Sequence, residues 1–191
     1  NVPVSITTPP VSLVRCTNES ASFTVVATGT VQSYRWTFNG NNLTDGTNIS
    51  GTTTPNLVIA SVLPSNAGLY ACIVTGASNI ANSLSATLTV NEPAVITTQP
   101  LSQTLCEGNI LVLEVVATGA GLSYQWEKDN IPLTPDASTT GINSSLLVIT
   151  NVTSARAGSY RCTISNTCKT EKSNAAVIVI NPTMALVTQP S

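Results

Sequence analysis

The sequence predicts an all-β chain of two tandem sandwich domains, and three observations carry that prediction. First, a shift of 90 residues without a gap lays the chain on itself: "ITTPP" (6–10) falls on "ITTQP" (96–100), "VVATG" (25–29) on "VVATG" (115–119), and "AGLYAC" (67–72) on "AGSYRC" (157–162). By direct count 29 of 90 positions are identical, which marks a duplication. Second, apolar residues recur with a period of two, as a strand with one core face requires. Third, these short segments return about every 8–12 residues between Gly, Asn, Pro and Asp, the spacing of an all-β sandwich. No stretch offers a convincing helix.

The duplication sets the expected boundaries at 1–91 and 92–181. The tail "LVTQPS" (186–191) restarts the pattern, so residues 182–191 are expected to open a third repeat of an array. Within each repeat the clearest strand follows the first cysteine. Leu111, Leu113, Val115 and Ala117 face one way and Val112, Glu114 and Val116 the other. Its counterpart carries Ala21, Phe23, Val25 and Ala27 on the core face. A strand with a central tryptophan comes next, "SYRW" (33–36) and "SYQW" (123–126), followed by loops at 39–55 and 129–141. The repeat then closes on Leu57, Ile59, Val62, Gly68, Tyr70 and Cys72, matched by Leu147, Ile149, Val152, Gly158, Tyr160 and Cys162.

That run, with a Trp 11 residues after the core valine, resembles an immunoglobulin domain of the intermediate, I-set-like type, in both repeats. The resemblance implies two tandem immunoglobulin-like β-sandwiches in a head-to-tail array. Trp36 and Trp126 would fill the two cores, and Tyr70 and Tyr160 would form tyrosine corners between the fifth and sixth strands. More narrowly, "SQTLCEGN", "YQW" and "AGSYRC" are similar to the repeats of very large secreted and surface proteins of bacteria, of Bacteroidetes-like type. Two positions depart from the pattern. Asn66 and Arg156 stand where an Asp normally pairs with an Arg, so that ion pair is expected to be missing, at little cost for a surface pair. Val25 and Val115 stand where the core cysteine belongs, which leaves Cys72 and Cys162 as unpaired core thiols behaving like small hydrophobes.

Five cysteines remain to be assigned: Cys16, Cys72, Cys106, Cys162 and Cys168. In the resembled fold Cys106 sits at the bottom of its domain and Cys168 at the top, about 25 Å apart at roughly 3.3 Å per residue. A disulfide needs Cα atoms about 5.5 Å apart. A head-to-tail array would instead bring Cys16 against Cys168 across the short linker "NEPAV" (91–95), reserving Cys106 for a further domain. The alternatives stay open: Cys16–Cys72 with Cys106–Cys162, or reduced thiols. Ser78 occupies the position of Cys168 in the first repeat.

Composition excludes more than it assigns. With a net charge of −2 and only 8% charged residues, the chain has no electrostatic footprint for nucleic acid. The absence of histidine removes His-based triads and His-ligated metals, and no Cys-x-x-Cys pair suggests zinc. Glu19, Asp45, Glu92, Glu107, Glu114, Glu127, Asp129, Asp136 and Glu171 are scattered. Glu127 and Asp129 come nearest to a pair, on alternate strand positions that would put them on one solvated face. No catalytic residue, cofactor or metal is expected, and no apolar run reaches the roughly 20 residues of a membrane span. Sequons at Asn18, Asn42, Asn48, Asn143 and Asn151 permit glycosylation without indicating it.

The expected function is therefore a non-catalytic extracellular module, a rigid stalk or fibre segment of a secreted or surface protein. Its partners would be neighbouring immunoglobulin-like domains or copies of the same chain. The alternative is a ligand- or carbohydrate-binding accessory module, its candidate loops 39–55 and 129–141, neither of which carries an aromatic ring for a sugar to stack on.

Overall fold

A computed structural model describes residues 1–183, and the expected start of a third repeat lies almost wholly outside the described residues. The chain divides into two compact units, Asn1–Glu92 and a second beginning at Pro93. The first holds strands β1 (Ser5–Thr8), β2 (Leu13–Cys16), β3 (Ala21–Thr24), β4 (Val26–Thr28), β5 (Val31–Phe38) and β6 (Asn41–Asn42). It continues with β7 (Ile49–Ser50), β8 (Asn56–Ile59), β9 (Gly68–Gly76), β10 (Ile80–Asn82) and β11 (Ala86–Asn91).

The second unit repeats the order. Its strands are β12 (Val95–Thr98), β13 (Gln103–Cys106), β14 (Leu111–Glu114), β15 (Val116–Thr118), β16 (Ser123–Lys128) and β17 (Ile131–Pro132). They are followed by β18 (Thr139–Thr140), β19 (Leu146–Ile149), β20 (Gly158–Ser165), β21 (Thr170–Lys172) and β22 (Ala176–Asn181). The helical content among the described residues is two single 3-10 turns, Pro64–Asn66 and Ser154–Arg156.

Each unit is a two-layer sandwich. In the first, one layer is β2-β11-β9-β5-β6 with β10 on β9, and the other is built from β3-β8-β7 and β1-β4. The second unit has β13-β22-β20-β16-β17 with β21 on β20, against β14-β19-β18 and β12-β15. The β2–β11 and β13–β22 pairs are parallel, whereas the other pairings are antiparallel.

The predicted core faces are in place. Ala21, Phe23 and Val25 are buried, as are Leu111, Leu113 and Val115, while Val112, Glu114 and Val116 are exposed. The strand is not continuous, because pairing changes edge at the valine. β3 pairs with β8 and β4 with β1, and the Val25 N–H reaches across to the Pro55 carbonyl at 3.0 Å. Val115 does the same with the Ser145 carbonyl at 2.9 Å. The turn before β8 and β19 depends on a glycine identical in both repeats. Gly51 and Gly141 have φ of 79° and 76°, and a Cβ there would collide with the carbonyl oxygens of Asn56 and Leu146.

Candidate functional site

The residues singled out by sequence fall into a core set, a cysteine set and a charged set. Trp36 and Trp126 are fully buried, lying directly across from Cys72 and Cys162 in the strand register. Each indole N–H donates to a loop carbonyl at 2.9 Å, Thr54 in the first domain and Ser144 in the second, so neither ring leaves a buried donor unpaired. Tyr70 donates its hydroxyl to the Asn66 carbonyl and Tyr160 to the Arg156 carbonyl, both at 2.8 Å. These are the expected tyrosine corners. Tyr160→Phe is expected to destabilise the second domain by about 1–3 kcal/mol, because the Arg156 carbonyl loses its buried partner. Urea denaturation measures this, and a midpoint within error of wild type would show that the bond contributes nothing.

Cys72 and Cys162 are buried free thiols and Cys106 is an exposed one. The intradomain pairs Cys16–Cys72 and Cys106–Cys162, left open by the sequence, are therefore not formed. Val25 and Val115 are buried in the same cores as the two thiols, at 1% and 0% exposure. Burial pushes both thiols up to about 11 from an ordinary 9, and the buried hydroxyls of Tyr70 and Tyr160 up to about 12 from 10.

The sign of the consequence follows. Above pH 9 the unfolded chain loses thiol protons that the folded chain keeps, so stability falls as pH rises through about 9–11, and the tyrosines extend the fall towards 12. Denaturation midpoints between pH 8 and 11 are expected to drop steadily, with Cys106 alone of the three free thiols reacting rapidly with an aromatic disulfide reagent before unfolding. Fast reaction of Cys72 or Cys162 in the native protein would contradict the packing.

Two serines escaped the sequence reading. The strand after the hairpin breaks between β10 and β11, and between β21 and β22, opposite the core cysteines. Ser83 bridges the first break: its hydroxyl accepts the Cys72 N–H at 2.8 Å, and its own N–H donates to the Cys72 carbonyl at 2.9 Å. Ser173 does the same for Cys162, with both bonds at 2.9 Å. Their identity across the repeat, inside an otherwise divergent stretch, was the available signal.

The charged residues require two corrections. Arg156 is not without an ion pair: its Nη2 donates to Asp136 Oδ2 at 2.8 Å. The pair has the opposite polarity to the resembled pattern, with the cation at the corner and the carboxylate on the segment before β18. Glu127 and Asp129 do not share a solvated face. β16 ends at Lys128, Asp129 turns with φ of 53°, and Glu127 is 7% exposed with Oε1 2.8 Å from Lys172 Nζ. They are not an acid/base pair. No group of three or more metal-ligating side chains occurs among the described residues.

A concavity of about 260 Å³ lies on the candidate loop 129–141, lined by Lys128, Asp129, Ile131, Leu133, Asp136 and Arg156 among others. The Arg156 guanidinium and the Ser138 N–H and hydroxyl hold the Asp136 carboxyl well below the usual carboxylate range, and Lys128 with the Ser159 N–H lowers that of Asp129. No helix among the described residues is long and apolar enough to cross a membrane.

Two Greek-key sandwiches with pinned tryptophans and tyrosine corners define the class as tandem immunoglobulin-type domains. The immunoglobulin-domain profile matches residues 3–76 and 93–166, and the chain belongs to that family. It is 34% identical over 126 residues to human leucine-rich repeats and immunoglobulin-like domains protein 3, covering 64% of this chain and 11% of that protein. It is 33% identical over 113 residues to human protein sidekick-1, covering 56% of this chain and 5% of that one. The chain thus spans a small fraction of these relatives' lengths.

Among solved structures an I-band fragment of titin aligns with a TM-score of 0.81 at 20% identity, over 95% of this chain and 67% of that one. Extracellular domains 3 to 5 of Drosophila OTK align at 0.70 and 22% identity, over 94% and 62%. These likenesses establish the fold.

Proposed function

We propose that the chain is a rigid segment of an extracellular stalk or fibre, non-catalytic, with its two domains coupled by a Cys16–Cys168 disulfide. The observation that carries this reading is the state of the cysteines: Cys72, Cys106 and Cys162 are free, whereas neither Cys16 nor Cys168 is without a partner. Cores that close on Val25 and Val115 need no thiol of their own, which releases the outer cysteines for coupling. Exposed Cys106 is reserved in this reading for the next domain of the array, and the bacterial surface-repeat pattern of the sequence supplies such an array. The immunoglobulin relatives support a cell-surface or secreted setting, where disulfides persist. Neighbouring immunoglobulin-like domains or copies of the chain are its partners.

Small-angle X-ray scattering with and without a phosphine reductant tests the coupling. A sharply defined maximum dimension is expected to broaden on reduction, and identical curves would overturn the stiffening role.

The second reading, ligand recognition, is favoured by one observation. Loop 129–141, singled out by sequence as a binding candidate, lines the 260 Å³ concavity, whereas the first domain carries neutral residues throughout the same segment except Asp45.

A further inference from the structure

The concavity has an uneven donor and acceptor inventory. Every oxygen of its two carboxylates already accepts at least one hydrogen bond. Asp129 Oδ1 accepts the Ser159 N–H at 2.9 Å and Oδ2 accepts Lys128 Nζ at 2.6 Å. Asp136 Oδ1 accepts the Ser138 N–H and hydroxyl, both at 2.8 Å, and Oδ2 accepts Arg156 Nη2. The two cations are only partly used. Nη2 of Arg156 serves Asp136 and the Ser138 hydroxyl at 2.9 Å, which leaves Nε and Nη1 without an acceptor among the described residues. Lys128 uses one of its three donors. Their side chains are 27% and 23% exposed, so the spare donors are partly withdrawn from water, where a charge-assisted bond is stronger.

Beside these donors stand Ile131, 69% exposed, with Pro132 and Leu133. A site with spare cationic donors, carboxylates already paired with those cations and an aliphatic wall is complementary to an anion joined to an apolar group. The spare Nε–H and Nη1–H of Arg156 and the Lys128 ammonium can each donate a single charge-assisted bond to a carboxylate oxygen. At about 260 Å³ it holds one residue-sized group rather than an oligosaccharide.

The first repeat supplies an internal comparison. Phe38, Asn39, Asn41, Gly46 and Asn66 replace Lys128, Asp129, Ile131, Asp136 and Arg156, removing all four charges. The Phe38 ring packs against Tyr70 at a centroid distance of 5.0 Å, at the position Lys128 holds in the second domain. Four of the sixteen acidic and basic residues of a charge-poor chain have thus been gathered in one concavity of one domain.

We propose that this concavity binds a carboxylate carried on a small branched aliphatic group, such as the C-terminal residue of a peptide, through Arg156 and Lys128 with Ile131 and Leu133 against the aliphatic part. This goes beyond the stalk reading and does not depend on it. Backbone-amide NMR titration of the intact oxidised chain is the test, with three probes: N-acetyl-alanyl-leucine, its C-terminal amide, and isovalerate. The free-acid peptide is expected to shift Ile131, Leu133 and Ser159 saturably while Asn41 and Leu43 of the first domain stay in place.

Amidation is expected to weaken binding about tenfold or more, as loss of a charge-assisted contact implies. Arg156→Gln is expected to weaken it similarly. Because Arg156 also holds Asp136, Lys128→Met provides a variant that leaves that pair intact and is expected to weaken binding by several-fold. Saturable binding of both free acids supports the shared chemistry. Binding of isovalerate alone supports the carboxylate site while assigning it to free acids instead of peptide ends. Equal affinity for acid and amide, equal shifts in both domains, or no shift with any probe would overturn the proposal.

Discussion

Val115→Cys is expected to form a disulfide with Cys162 and to stabilise the second domain by about 2–4 kcal/mol. The two positions belong to one buried core cluster, both at 0% exposure, at the sites where the immunoglobulin pattern carries its cross-sheet bond. Closing a loop of about 47 residues removes unfolded-chain entropy worth about 4 kcal/mol in the chain-entropy limit, and strain subtracts from that. For a domain of this size the gain corresponds to a rise in melting temperature of more than about 10 °C. Calorimetry of the oxidised and reduced variant measures it. A variant that keeps two reactive thiols after oxidation would show that the two positions do not meet across the core. Val25→Cys with Cys72 is the matching experiment in the first domain.

The opposite extreme is Trp126→Ala, expected to cost the second domain about 3–5 kcal/mol. The indole is completely buried, so truncation leaves a large cavity and also strips the Ser144 carbonyl of its donor. That loss is comparable with the whole stability of a small domain, which lies at about 5–15 kcal/mol. The variant carries its own control, since Trp36 becomes the sole tryptophan. Trp36 fluorescence, reporting the first domain, is expected to keep its denaturation midpoint while a second, earlier transition appears in far-UV circular dichroism. A single unshifted transition by both probes would mean that the ring is not a core residue.

What the sequence made legible was set by local pattern and by the internal duplication. Alternation alone oriented Leu111, Leu113 and Val115 inward and Val112, Glu114 and Val116 outward, because strand side chains must alternate. Trp36, Trp126, Tyr70 and Tyr160 were legible because their spacing belongs to a known sandwich pattern. The charged contacts were not legible. Asp136 and Arg156 meet only because the segment before β18 folds back onto the corner, and their polarity is reversed relative to the immunoglobulin pattern. Local sequence makes Glu127 look solvated, since its partner, Lys172, comes from a strand 45 residues further on. The serines at 83 and 173 act only where the ladder breaks, and a break is invisible to a period-two reading. The concavity was legible as a loop but not as a shape, because the wall that closes it, Arg156, comes from a corner well beyond the stretch 128–136 that supplies the rest.

The central claim is that the outer cysteines couple the domains while the inner ones stay reduced. Non-reducing proteolysis followed by mass spectrometry of peptides containing Cys16, Cys72, Cys106, Cys162 and Cys168 tests it most directly. The account predicts a Cys16–Cys168 cross-linked peptide, with Cys72 and Cys162 recovered as alkylated thiols only after unfolding. A Cys16–Cys72 or Cys106–Cys162 cross-link, or Cys16 and Cys168 both alkylated in the native protein, would contradict it.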